Sequence, residues 1–138
     1  MFIPRIVLKQ LYTHDSLHNV RGGFEFTIKN RLTAAVLEGI EHLKVGDKIV
    51  DTGAIKIDPG KGELINAKDI SKEEPLDFPV GNSINVFCEA GDLHEGTYNI
   101  ALAVQVSPYG KLNIQVQDSI HKESEQRTKI PFSQEDNY

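Results

Sequence analysis

The sequence predicts an all-β fold: an antiparallel β-sandwich or jelly-roll-like domain with at most one short helix. Two observations carry this expectation. Short runs alternate apolar with polar residues, the period of a half-buried strand. Turn-forming residues separate those runs at regular intervals.

From the N-terminus, residues 1–16 read as an arm that is apolar and basic over Met1 to Tyr12, with Phe2, Ile3, Ile6, Val7, Leu8 and Leu11 beside Arg5 and Lys9. After Gly22-Gly23, the alternation of Phe24, Phe26 and Ile28 with Glu25, Thr27 and Lys29 marks a strand. Between Leu32 and Val45 two periods compete. Leu32, Val36, Ile40 and Leu43 make a helical stripe, whereas Leu37, Gly39, Glu41, Leu43 and Val45 could share one strand face. Gly39 and the β-branched residues favour the strand. Gly46-Asp47 reads as a tight turn into Ile49-Val50, and Asp58-Pro59-Gly60 as a second turn. Ala67 to Ser71 suits a single helical turn. Pro75 and Pro79 make Glu73 to Gly81 a loop.

Ser83 to Cys88 alternates again, with Ile84, Val86 and Cys88 on one face. Gly91-Asp92 and Glu95-Gly96 bracket a loop from which Leu93 tucks inward. Tyr98, Ile100, Leu102, Val104 and Val106 then alternate with polar and small residues, and Leu112, Ile114 and Val116 do the same after Ser107-Pro108-Tyr109-Gly110. The pair reads as an antiparallel hairpin closing a sandwich over residues 17–120. Residues 121–138 form a polar tail broken by Ile130-Pro131-Phe132, which either anchors on the chain's own surface or lies on a partner.

Composition excludes several functions. The chain has 138 residues, enough for one domain with its own core. Fifteen basic residues against 20 acidic ones give a net charge of −5, and the basic residues are scattered, which argues against a nucleic-acid partner. One cysteine, Cys88, permits neither an internal disulfide nor a cysteine-based zinc site and suits a reducing cytoplasm. No apolar run is long enough for a membrane span, and Met1 to Arg5 lacks the pattern of a signal peptide.

Candidate chemistry is sparse. His14 and His18 are four apart, but Asp15, Ser16 and Asn19 favour turns, so exposed loop histidines are expected rather than metal ligands. Asp92, His94 and Glu95 share a hydrated loop. Ser71, Ser83 and Ser107 lack a nucleophile-elbow pattern. Cys88 sits on an apolar strand face, as a core thiol does. Glu73-Glu74 adjoin a proline in a solvated loop, and Gly60-Lys61-Gly62 lacks the strand and helix of a phosphate cradle.

The order of several short motifs resembles the small β subunit of bacterial C-glycoside deglycosidases. They are Leu17-His18-Asn19-Val20 leading to Gly23-Phe24-Glu25-Phe26, Leu37-Glu38-Gly39-Ile40 with Val45-Gly46-Asp47, Asp77-Phe78 with Val80-Gly81, Ala90-Gly91-Asp92-Leu93 with Glu95-Gly96, and Ser107-Pro108-Tyr109. The resemblance implies a non-catalytic β-sandwich subunit within a higher-order heteromer. Its partner would be a larger α subunit with a sugar-isomerase-like barrel and a divalent metal, usually manganese. The complex would cleave the carbon–carbon bond between a 3-oxo sugar and an aromatic aglycone, so neither catalytic residue nor cofactor is expected on this chain. Asn30-Arg31-Leu32-Thr33 and Tyr109-Gly110 depart from the family pattern. Phe2, Ile3, Arg5, Tyr109, Ile130 and Phe132 are the expected partner-interface residues. A free-standing carbohydrate-binding module or another accessory β-sandwich subunit is the alternative, though the chain has no tryptophan and four tyrosines for a sugar platform. A cupin-type metal enzyme is a third, but His94 and Glu95 do not reproduce its ligand spacing.

Overall fold

Ten strands arranged in two antiparallel sheets face each other across one apolar core, in a computed structural model that describes residues 3–121. The strands are β1 (His18–Val20), β2 (Gly23–Lys29), β3 (Ala35–Val45), β4 (Lys48–Ile49), β5 (Ile55–Asp58), β6 (Ile65–Asn66), β7 (Leu76–Phe78), β8 (Ser83–Cys88), β9 (Gly96–Ser107) and β10 (Gly110–Ile120). One sheet has the order β1-β2-β8-β5-β6. The other has the order β10-β9-β3-β4, with β7 also pairing with β3. The β-sandwich expected from the alternation is therefore present, with one short helix, α1 (Arg5–Leu8). A 3-10 turn at Ala67–Asp69 fills the place expected for a helical turn.

Alternation determines what each strand buries. Phe24 and Phe26 of β2, Ile55 and Ile57 of β5, and Val86 and Cys88 of β8 point into the core and are almost wholly inaccessible. Ile100, Leu102, Val104 and Val106 of β9 face them from the other sheet. Burying each such large apolar side chain contributes about 1.5–3 kcal/mol.

The ambiguous segment is strand β3, and its mixed period has a structural cause. Its register against β9 shifts between Leu37 and Gly39 and again between Ile40 and His42. Each bulge inserts one extra residue, so the inward positions Leu37, Ile40, Leu43 and Val45 are spaced by three, three and two. That spacing imitates a helical stripe over two turns. The segment Glu73 to Gly81 differs from the loop expected there: it contains β7, a three-residue strand between Pro75 and Pro79 that pairs Leu76 with Leu37 and Phe78 with Ala35. Three residues are the most that fit between two prolines that cannot donate to a ladder.

The N-terminal segment closes one side of the sandwich. Strand β1 is one edge of its sheet and β10 the edge of the other. Leu8, Leu11, Tyr12 and Leu17 bury their side chains in the core across that gap. Tyr12 bridges to Ile28, and the Thr13 amide donates to the Thr27 carbonyl at 2.9 Å, so this segment runs along β2. On the opposite sheet Asp118, only 4% exposed, accepts from the Tyr12 hydroxyl at 2.6 Å and from the Leu17 amide at 3.0 Å through the same oxygen. Its other oxygen accepts from the Ser119 amide at 2.8 Å. The Tyr12 ring also packs at 5.5 Å from that of Phe26.

Two predictions follow from this packing. A Cβ added at Gly23 would sit 1.8 Å from the Cys88 carbonyl oxygen, whereas one at Gly39 meets nothing closer than 3.9 Å. Gly23→Ala should lose roughly 1–3 kcal/mol or more in urea unfolding, and Gly39→Ala much less. Burial, reinforced by the hydrogen bond to Asp118, raises the Tyr12 phenol well above its ordinary range. The folded chain therefore holds that proton more tightly than the unfolded chain. The resulting stability is full below the unfolded phenol value of about 10 and is lost as pH rises above it. Tyr12→Phe should cost about 1–3 kcal/mol at neutral pH. It should also flatten the alkaline fall in stability followed by circular dichroism.

Candidate functional site

Three places in the described residues could support chemistry or binding: the interior thiol, an apolar crevice at one end of the sandwich, and a polar groove on an outer sheet face. Cys88 is 0% exposed on β8, and burial pushes its thiol up to about 12. A thiol in that state is not a nucleophile near neutral pH. Cys88 is a core residue, as its strand position predicted.

The crevice lies between the sheets, with Ile3, Leu32 and Tyr109 among its lining residues and Ile28, Val104 and Leu112 also facing it. Its volume is about 50 Å³. Ligand sites for small molecules typically measure roughly 300–1,000 Å³, so this is a packing gap rather than a substrate pocket. Asn30, in its wall, is 3% exposed and fully engaged. Its amide donates to the carbonyls of Thr33 at 2.8 Å and Phe78 at 2.6 Å, and its side-chain oxygen accepts from the Leu32 amide at 3.1 Å. Asn30 fastens the β2–β3 connection to β7.

The groove has a volume of about 680 Å³ and runs across the outer face of the β10-β9-β3 sheet. Arg5 from α1, Lys9 from the following 3-10 turn, Lys44 from β3, Asn99 from β9, and Gln115 and Gln117 from β10 line it. Of these residues the sequence singled out Arg5 and Lys9, as the basic residues of the N-terminal arm. The remaining residues alternate outward on three strands, and only sheet pairing gathers them.

The other candidates stay dispersed. His18 opens β1 rather than lying in a loop, and its Nε2 is 3.1 Å from a Glu25 carboxylate oxygen. His14 lies 3.6 Å from Asp15. Asp92, His94 and Glu95 are exposed, while Leu93 between them is buried as expected. The Ser71 hydroxyl accepts from the Glu74 amide at 3.0 Å, a turn bond. Among the described residues no group of three or more histidine, cysteine or acidic side chains could hold a metal ion. No helix among them is long and apolar enough to cross a membrane.

Of the expected interface residues, Ile3 and Tyr109 are half-buried against the sandwich's own core, and Arg5 is exposed in the groove. Phe2, Ile130 and Phe132 lie outside the described residues. Of the four tyrosines, Tyr12 is buried, and Tyr98 and Tyr109 pack partly against the core. Native Cys88 should resist a soluble disulfide reagent at pH 8 and react at once in denaturant. Rapid stoichiometric labelling of the folded chain would contradict its burial.

Comparison with known proteins corrects the functional expectation. A family model described as "Hydroxymethylglutaryl-CoA reductase, N-terminal domain" matches residues 7–121. No curated protein matches the chain. The family match overturns the resemblance to the C-glycoside deglycosidase β subunit. The inferred carbon–carbon lyase activity and the sugar-isomerase-like α-subunit partner fall with it. The motifs behind that resemblance are strand starts and glycine turns. Gly46, for example, turns β3 into β4 at φ +60°, and Gly91 adopts φ +79° before β9. Such pieces serve any antiparallel sandwich, and fold grammar does not specify function. The matched residues take in the whole sandwich and most of the chain, and the chain belongs to the hydroxymethylglutaryl-CoA reductase N-terminal domain family.

Proposed function

We propose that this chain is a non-catalytic β-sandwich domain that serves a hydroxymethylglutaryl-CoA reductase, with cofactor chemistry carried outside it. The observation that carries this reading is the family match across residues 7–121, which spans every strand. Two features support an accessory role. The buried polar groups Asn30 and Asp118 are committed to hydrogen bonds that hold the fold, and Cys88 is a protonated core thiol.

The reductant gives a further test of fit. Reducing a thioester carbonyl needs a hydride donor, and a common cradle for dinucleotide donors is a parallel β–α–β unit with a glycine-rich turn. The paired strands described here are antiparallel, and α1 is four residues long, so the described residues do not fit such a cradle. Ile3 and Tyr109, half-buried at the sandwich end, are the contacts we assign to docking beside the catalytic machinery. A cytoplasmic location goes with this reading, because a reducing compartment keeps a free thiol such as Cys88 reduced.

The test is to mix the full chain with the reductase catalytic domain of the same organism. Mass should be followed by light scattering, and reduced-nicotinamide oxidation with hydroxymethylglutaryl-CoA by absorbance. A complex weakened by Tyr109→Lys is expected, with no turnover by the chain alone. Turnover by the isolated chain, or the absence of any complex, would overturn the reading.

A further inference from the structure

We infer that the outer-face groove binds a small ligand carrying two or more phosphate charges, held by Arg5, Lys9 and Lys44. The inference rests on the groove's geometry and charge and is independent of the reductase assignment. At about 680 Å³ the groove falls within the range of small-molecule sites. Three cations line it against one carboxylate, Asp47, in a chain whose net charge is −5. Positive charge is therefore concentrated where the whole chain is negative.

These cations have no structural employment in the described residues. Lys48 donates to the Ala90 carbonyl, Lys56 pairs with Glu89, Lys111 pairs with Glu41, and Arg31 bonds the Gln10 carbonyl. Arg5, Lys9 and Lys44 make no ion pair or hydrogen bond through their side chains to any described residue. Arg5 and Lys9 stand four positions apart on consecutive helical turns, so their like charges share a face and repel. Lys44, on β3, adds a third charge to the same groove. An anionic ligand relieves this repulsion, which the described residues leave uncompensated.

The groove's neutral side chains suit the same ligand. The Gln117 amide donates to the Asn99 side-chain oxygen at 2.8 Å. That bond orients Asn99 and leaves its own NH₂ free to donate. Guanidinium, ammonium and amide N–H groups all donate, and phosphate oxygens accept from each. Three cations contributed by three elements match a ligand with more than one anionic group better than a monoanion.

The test is calorimetric titration of the full chain at low ionic strength with inorganic pyrophosphate and with ADP, using sulfate as the comparison anion. Saturable 1:1 binding of pyrophosphate or ADP is expected, weakening as salt is added. Arg5→Gln, Lys9→Gln and Lys44→Gln should each weaken it roughly two- to fivefold. The triple variant should lose it with an unchanged melting temperature, and Asp47→Asn should tighten it. Tighter binding of ADP assigns a nucleotide-borne polyphosphate, and equal or tighter binding of pyrophosphate a free one. Absence of saturable binding by either probe, undiminished binding by the folded triple variant, or sulfate binding as tightly as pyrophosphate would overturn the inference.

Discussion

One carboxylate joins the two halves of the sandwich where they would otherwise gape. Asp118 stands on β10, at the edge of one sheet, and accepts from Tyr12 and Leu17 in the segment that runs along β2 to the edge of the other. A buried carboxylate is costly unless its lone pairs are filled. Here three donors fill them, and the two from the N-terminal segment can do so only if that segment lies across the gap. Once it does, Leu8, Leu11 and Leu17 are carried into the core beside Phe24 and Phe26. The polar bond supplies position and the apolar side chains supply most of the energy.

The same constraint places the outer groove. Because the N-terminal segment is pinned to β10, α1 packs against that edge strand and brings Arg5 and Lys9 alongside Gln115 and Gln117. The bulges in β3 set the other wall. With two extra residues absorbed, Leu43 and Val45 face inward while Lys44 pairs outward with Ala101. A shift of one residue would turn Lys44 into the core. Core packing and the character of the outer face are thus two consequences of one register.

The family assignment reads differently against this architecture. Its match runs from within α1 to the residue after β10, so what is shared is the sandwich as a unit. The motifs that had suggested a lyase subunit occupy turns, where glycine is required by backbone geometry. Gly46 and Gly91 both adopt left-handed φ values. A requirement imposed by the backbone is met alike in unrelated sandwiches, which is why those motifs spoke to fold and misled about function.

Much of the fold was legible locally. The period-two patterns of β2, β8, β9 and β10 decided which side chains face inward, and placed Cys88 in the core, because a strand's facing depends only on its own alternation. The prolines around β7 and the bulges of β3 obscured two elements, because each breaks that period. What the tertiary structure alone decided is which strands become neighbours, with β8 inserted between β2 and β5, and which distant side chains meet. Tyr12 and Asp118 are 106 positions apart, and Arg5, Lys44 and Gln117 converge from three elements. The reason is physical: backbone pairing groups are the same along the whole chain, so partner choice is settled by how the apolar faces pack together rather than by any local signal.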